Sequence, residues 1–174
     1  LREAREIDRP MVLHVKTIKG KGFQFSEQDA STFHSPPAFK VEGELDEEGC
    51  RVELKTEGRS FTTSFADALI DVMERDPKVV ACTAAMPEGT GLHKVMPRFP
   101  ERTWDVGICE SHALDMMAGL AKTGFKPFFA VYATFLQRAF DQCFQESALQ
   151  GLPVRLCLDR AGLVGGDGAV HHGF

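Results

Sequence analysis

Residues 105–113, DVGICESHA, place one carboxylate, Glu110, where a short apolar strand gives way to a helix. Ahead of it residues 103–108 are short and apolar, and behind it Ala113, Leu114, Met117, Leu120 and Ala121 recur at helical spacing until Gly124 ends the run. Glu110 is therefore expected in the first turn of a helix or just before it. An acid in that position complements the helix dipole by about 0.3–1 kcal/mol. The pattern alone does not separate that role from a chemical one.

Working outward, the rest of the C-terminal half keeps one rhythm. Ser64 can open a helix whose apolar face is Phe65, Leu69, Val72 and Met73 and which ends before Pro77. A strand over residues 79–83, a loop bearing Gly and Pro (86–91) and a short segment at 92–99 precede the strand that leads to Glu110. After the helix at 111–122 come a strand at 127–133, a helix at 135–149 with Leu136, Ala139, Phe140, Cys143 and Phe144 on its buried side, and a strand at 154–158. Continuous apolar strands alternating with helices predict an α/β fold, a parallel sheet with helices on both faces. Such sheets gather ligands at the carboxyl ends of their strands. Residues 83–86, Glu110, residues 132–138 and residues 159–172 are thereby brought to one edge. The last loop, DRAGLVGGDGAVHHG (159–173), holds aspartates, an arginine, a histidine pair and several glycines, a composition that a plain connection does not require.

The N-terminal third reads differently. Residues 10–17, PMVLHVKT, predict a strand, and IKGKGFQF (18–25) alternates lysine with glycine, which suits either a phosphate or a flexible turn. His34 precedes Ser35 and two prolines that fix an extended backbone. From 41 to 59 the chain turns acidic and polar without an amphipathic period, and is read as a linker between residues 1–40 and a domain at 60–174.

Composition narrows the function. Hydrophobic residues at 43% and charged residues at 26% are those of a globular domain, and a net charge of −5 with pI near 5.7 argues against a nucleic-acid or anionic-membrane partner. No apolar run has the length of a membrane span and no signal-peptide pattern is present. The five cysteines, Cys50, Cys82, Cys109, Cys143 and Cys157, show no metal spacing and are expected as buried, reduced thiols in a reducing compartment. A start at Leu1 without methionine and a stop just after a glycine- and histidine-rich loop lead us to expect a piece of a longer protein.

Taken together, HVKTIKGKG, TFH, TAAM, GTGL, FPER, DVGICESHA, YATFLQRAFDQ and LDRAGLVGGDGAVHHG resemble, in order and spacing, the 1-deoxy-D-xylulose-5-phosphate synthase family of transketolase-like thiamine diphosphate enzymes. The resemblance covers all but the acidic stretch. It implies the end of an amino-terminal diphosphate-binding domain followed by an incomplete pyrimidine-binding domain. The implied reaction condenses pyruvate with D-glyceraldehyde 3-phosphate, releases carbon dioxide and feeds isoprenoid, thiamine and pyridoxal synthesis. The resemblance makes Glu110 the glutamate that hydrogen-bonds the cofactor's pyrimidine nitrogen and so promotes loss of the C2 proton, a role for which a carboxylate in an apolar site is suited. It makes Phe135 the ring stacked on the pyrimidine, Met86 the apolar residue beside the thiazolium and Lys19 a lysine reaching the diphosphate. Tyr132, Arg138, Arg160, Asp167 and His171 fall on the acceptor side, the arginines suited to phosphate by their planar geometry. His34 falls near the reacting carbons as a proton shuttle, and His171 carries a catalytic role as well, with the neighbouring His172 as the competing imidazole.

Two points depart from or complicate the family pattern. Its usual glutamine after the glutamate is Ser111 here. Gly166-Asp167-Gly168 imitates the start of the cofactor's magnesium motif, but that motif needs a downstream asparagine that the chain does not supply, so no metal ligand is expected in this chain and the Mg2+ ligands are expected upstream. The same resemblance implies a homodimer, and a cytoplasmic location or a plastid one in a plant or alga. Two alternatives stay open: another transketolase-like enzyme, such as a transketolase or a pyruvate dehydrogenase beta subunit, and a non-catalytic binding module that kept the fold.

Overall fold

A strand needs a neighbour to satisfy its backbone N–H and C=O groups. The apolar run at 10–17 finds none: it has no ladder partners among the described residues, with Val12 94% and Val15 65% exposed. The strand expected there does not form. The computed structural model describes residues 2–34, 36–45, 49–55, 58–164 and 168–173. It divides into two units, Leu1–Glu57 and Gly58–Phe174, taken separately below.

The first unit holds two short helices, α1 (Arg2–Arg5) and α2 (Gln24–Gln28), and a hairpin of β1 (Phe39–Glu42) with β2 (Arg51–Leu54). The hairpin takes in part of the stretch read as an acidic linker: Phe39 pairs with Leu54 and Glu42 with Arg51, antiparallel. Its strands are charged and largely exposed, so no apolar alternation announces them. A cluster of rings, Phe23, Phe25, Phe33 and Phe39, packs at centroid distances of 5.4–6.5 Å.

The second unit opens with α3 (Phe61–Arg75), whose cap lies one turn earlier than the sequence pattern suggests. Ser60 Oγ accepts from the Thr63 N–H at 3.1 Å, while Ser64 sits inside the helix and its hydroxyl donates to the Ser60 carbonyl. Then follow β3 (Val79–Thr83), α4 (Leu92–Val95), β4 (Thr103–Asp105), α5 (Glu110–Lys122) and β5 (Lys126–Tyr132). After α6 (Ala133–Leu136) and α7 (Phe140–Gln142) the unit ends on β6 (Arg155–Asp159) and a 3-10 turn at Ala169–His171.

The four strands form one parallel sheet in the order β4-β3-β5-β6. Every residue of β3 is buried, as a strand with helices on both faces requires, the polar Thr83 at its end included. Its side chains alternate between two cores. Val79 and Ala81 pack with Ala66, Leu69, Met73 and Leu92 of α3 and α4, and Val80 and Cys82 pack with Ala113, Leu114 and Met117 of α5 on the opposite face. The register sets Thr83 beside Asp105 and Tyr132 beside Asp159, so the strands deliver their last residues to one edge.

The continuous helix read at 135–149 is broken. Between α6 and α7 lies a 3-10 turn (Gln137–Ala139), and a π-helix (Cys143–Ala148) follows α7. Tightening and then loosening the winding rotates side chains away from a 3.6-residue stripe. Ala139 stays buried, but Phe140 and Phe144, placed by that stripe on the inner side, are 72% and 60% exposed. No helix among the described residues is long and apolar enough to cross a membrane.

Candidate functional site

Glu110 is the first residue of α5 and is 2% exposed. A buried carboxylate needs a partner, and one arrives from the 3-10 turn: Arg138 Nη1 donates to Glu110 Oε1 at 2.5 Å. Ser111 ties the same two elements together, its hydroxyl donating to the Arg138 carbonyl at 2.7 Å. Among the described residues Arg138 is the one hydrogen-bond partner of the Glu110 carboxylate.

Beside this pair stands an aromatic wall. Tyr132, the last residue of β5, stacks on Phe135 of α6 with centroids 5.7 Å apart and planes 10° from parallel. His171 meets both rings edge-on, at 6.0 Å from Tyr132 and 5.4 Å from Phe135. Two guanidinium groups border the rings, Arg138 at 4.9 Å from the Phe135 centroid and Arg160 at 4.0 Å from that of Tyr132. His172 is turned away to the backbone of the preceding loop, where its Nδ1 accepts from the Val164 N–H at 3.0 Å. Glu110, Tyr132, Phe135, Arg138, Arg160 and His171 are thus linked by direct contacts at the carboxyl edge of the sheet.

Met86 lies on the loop after β3, half-buried, with its carbonyl accepting both the N–H and the hydroxyl of Thr90. Asp105 shapes that loop, its Oδ1 accepting from Ala85 N–H at 2.7 Å and Gly107 N–H at 2.9 Å. Ala85 has a φ of 59°, a left-handed conformation that costs a non-glycine residue free energy and persists where neighbours hold it. Burial, reinforced by the Asp105 carboxylate, pushes the Cys82 thiol up, and burial raises Cys157 to about 11, so neither offers a thiolate near neutral pH.

Lys19 and His34 belong to the first unit. Lys19 is exposed in the glycine-lysine turn, and His34 is exposed at the end of the 3-10 turn Thr32–His34. Asp167 lies outside the described residues. Among the described residues no group of three or more His, Cys, Asp or Glu is arranged to hold a metal ion. The motifs assign no individual role to Asp105, Asp159, Gly89 or Thr62. Asp105 and Asp159 each end a strand, and a carboxylate at that position was the available signal.

Residues 57–174 match the family model of the transketolase pyrimidine-binding domain. Curated relatives named 1-deoxy-D-xylulose-5-phosphate synthase include that of Oleidesulfovibrio alaskensis, 48% identical over 170 residues, 98% of this chain and 26% of that protein. Those of Clostridium perfringens and Helicobacter hepaticus are 46% identical over 171 residues and 44% identical over 174, covering 98% and 100% of this chain. The chain spans about a quarter of the length of these relatives, 26% and 27%. A solved structure described as a split gene transketolase, inactive beta4 tetramer, is 29% identical with a TM-score of 0.53, covering 63% of this chain and 35% of that one.

Proposed function

The chain belongs to the transketolase pyrimidine-binding domain family, and on that footing we propose that it forms the pyrimidine-side half of a thiamine diphosphate site in a 1-deoxy-D-xylulose-5-phosphate synthase. The reaction is the condensation of pyruvate with D-glyceraldehyde 3-phosphate to 1-deoxy-D-xylulose 5-phosphate and carbon dioxide. The observation that carries the reading is Glu110: a carboxylate 2% exposed at the start of α5, with one oxygen held by Arg138 and the Phe135 ring nearby in the same cluster. A heteroaromatic ring that offers a basic nitrogen to Oε2 and a flat face to Phe135 meets a complementary set of groups there.

Thiamine diphosphate, when bound, supplies the electron sink for decarboxylating a 2-oxo acid. This chain's residues then have separable roles. Glu110 shares a proton with the pyrimidine nitrogen, Phe135 orients the ring by stacking, and Met86 packs beside the thiazolium. Arg160 and Arg138 bind the acceptor's phosphate edge, Tyr132 and Asp167 orient the acceptor, and His171 moves a proton near the new bond. Lys19 reaches the diphosphate and His34 acts as a second proton carrier, both from residues 1–40, the end of a diphosphate-binding domain whose remainder supplies the Mg2+ ligands. We place the assembly, a homodimer, in the cytoplasm, or in a plastid if the source is a plant or alga.

The test is carbon dioxide release from pyruvate by the full-length protein containing this chain, supplied with thiamine diphosphate and Mg2+, with and without glyceraldehyde 3-phosphate. Release that rises with the aldehyde and yields deoxyxylulose phosphate upholds the proposal. No release from pyruvate under either condition sinks it and returns the choice to a transketolase with another donor or to a binding module.

A further inference from the structure

Asp159 is the last residue of β6 and lies opposite Tyr132 in the sheet. Its carboxylate reaches in two directions. Oδ1 accepts from the Arg160 N–H at 2.8 Å and lies 3.4 Å from Arg160 Nη1, while Oδ2 accepts from the Thr62 hydroxyl at 3.0 Å. Thr62 is the second residue of α3, so this carboxylate stands at the N-terminus of a 15-residue helix, where negative charge is favoured. The helix end is itself wedged: Gly91 approaches so closely that a Cβ there would lie 3.0 Å from the Thr62 carbonyl oxygen.

What this arrangement holds is an unusual backbone. Arg160 has a φ of 54°, left-handed for a residue with a side chain. Its carbonyl accepts from the Gly173 N–H at 3.0 Å, and the Gly173 carbonyl accepts in turn from Gly162 N–H at 2.9 Å. With its backbone fixed from both sides, Arg160 sends its guanidinium back over the neighbouring strand, 4.0 Å from the Tyr132 ring centroid. The carboxylate grips the backbone amide closely, at 2.8 Å, and the guanidinium loosely, at 3.4 Å. That is the geometry of a brace on direction rather than a sink for charge.

We infer that Asp159, anchored by Thr62, is a positioning residue that aims Arg160 at the phosphate of a phosphorylated acceptor. The inference rests on the proposed function for the identity of that acceptor. It assigns no contact between Asp159 and substrate; the effect passes through Arg160.

The experiment compares D-glyceraldehyde 3-phosphate with unphosphorylated D-glyceraldehyde as acceptors for the full-length protein carrying Asp159→Ala, Asp159→Asn or Thr62→Val. Asp159→Ala raises KM for the phosphorylated aldehyde roughly tenfold and leaves KM for pyruvate and for D-glyceraldehyde within about twofold, because only the phosphate contact depends on the aim of Arg160. Asp159→Asn, whose amide oxygen still accepts from the Arg160 N–H, recovers most of that loss, and Thr62→Val moves KM in the same direction by less. Equal losses with both aldehydes, or an unchanged KM for the phosphorylated one, overturn the inference. Should Asp159→Ala not fold, Thr62→Val carries the same comparison. Should the unmutated protein turn over neither aldehyde, the proposed function fails, and equilibrium binding of glyceraldehyde 3-phosphate decides the brace: weaker in the variants upholds it, equal overturns it.

Discussion

Arg138 donates to Glu110 across 2.5 Å from a turn 28 residues further along the chain, and the two side chains stand in unlike surroundings, 49% and 2% exposed. The buried member is the one that needs the bond. Removing Arg138 strands a carboxylate in the interior, whereas removing the charge of Glu110 leaves an arginine that water can still solvate.

That asymmetry separates two variants. Glu110→Gln keeps shape and hydrogen bonding, so thermal unfolding shifts little, while turnover falls at least roughly a hundredfold because an amide cannot share the proton. Arg138→Met leaves Glu110 uncompensated and lowers stability by about 1–3 kcal/mol, discounted from a fully buried pair because the arginine is half exposed. Near-normal activity in the first variant removes Glu110 from the chemistry. An unchanged melting temperature in the second shows that the pair carries no stability.

Ser60 caps α3, and Ser60→Ala takes away the acceptor of the Thr63 N–H. The expected loss is about 0.5–2 kcal/mol, read in a denaturant titration. Ser64→Ala is expected to cost less, since its hydroxyl only donates to a helical carbonyl. The reverse ranking would return the cap to Ser64.

Legibility in this chain follows how local each cause is. β3 was readable because both of its faces are covered and every position before its last residue, Thr83, is apolar, and α5 because its buried residues keep a helical period from Ala113 to Ala121. The 133–148 segment was not, since its changes of winding from α to 3-10 to π leave no mark in a 3.6-residue apolar stripe. The exposed run at 10–17 has strand composition, but composition cannot supply a pairing partner. The sequence named residues that meet in the site by kind and by strand end. It could not show that Arg138 meets Glu110, or that Thr62 meets Asp159 97 residues away, because those contacts depend on sheet register and on the angle of a turn.

Asp76 links the end of α3 to the start of β5. The Lys126 ammonium, 2.6 Å away, and the Lys78 N–H at 2.8 Å hold its carboxyl below the ordinary aspartate range. A depressed folded-state pKa contributes stability that is present above the unfolded value of about 3.9 and is lost as pH falls through the folded value. Asp76→Asn keeps the acceptor for Lys78 but loses the charge. Melting curves of the variant and the unmutated protein should therefore differ near neutrality and converge in acid. A gap that stays constant down to strongly acidic pH would falsify the ion-pair account.

Gly89 lies against Tyr132, and a Cβ added there would collide with the tyrosine hydroxyl. Tyr132 is 6% exposed and stacked on Phe135, so its ring has no open space into which to retreat. Gly89→Ala should cost about 1–3 kcal/mol by overpacking and should tilt the ring wall that Arg160 and His171 border. Tyr132→Phe removes the hydroxyl that the new methyl meets first, though the ring carbons behind it remain close at 2.6 and 2.8 Å. The double variant should accordingly lose less stability than the sum of the two single losses, because the clash and the hydroxyl are one interaction. Strict additivity in a thermal or denaturant double-mutant cycle would mean that Gly89 and Tyr132 do not meet in solution as they do here.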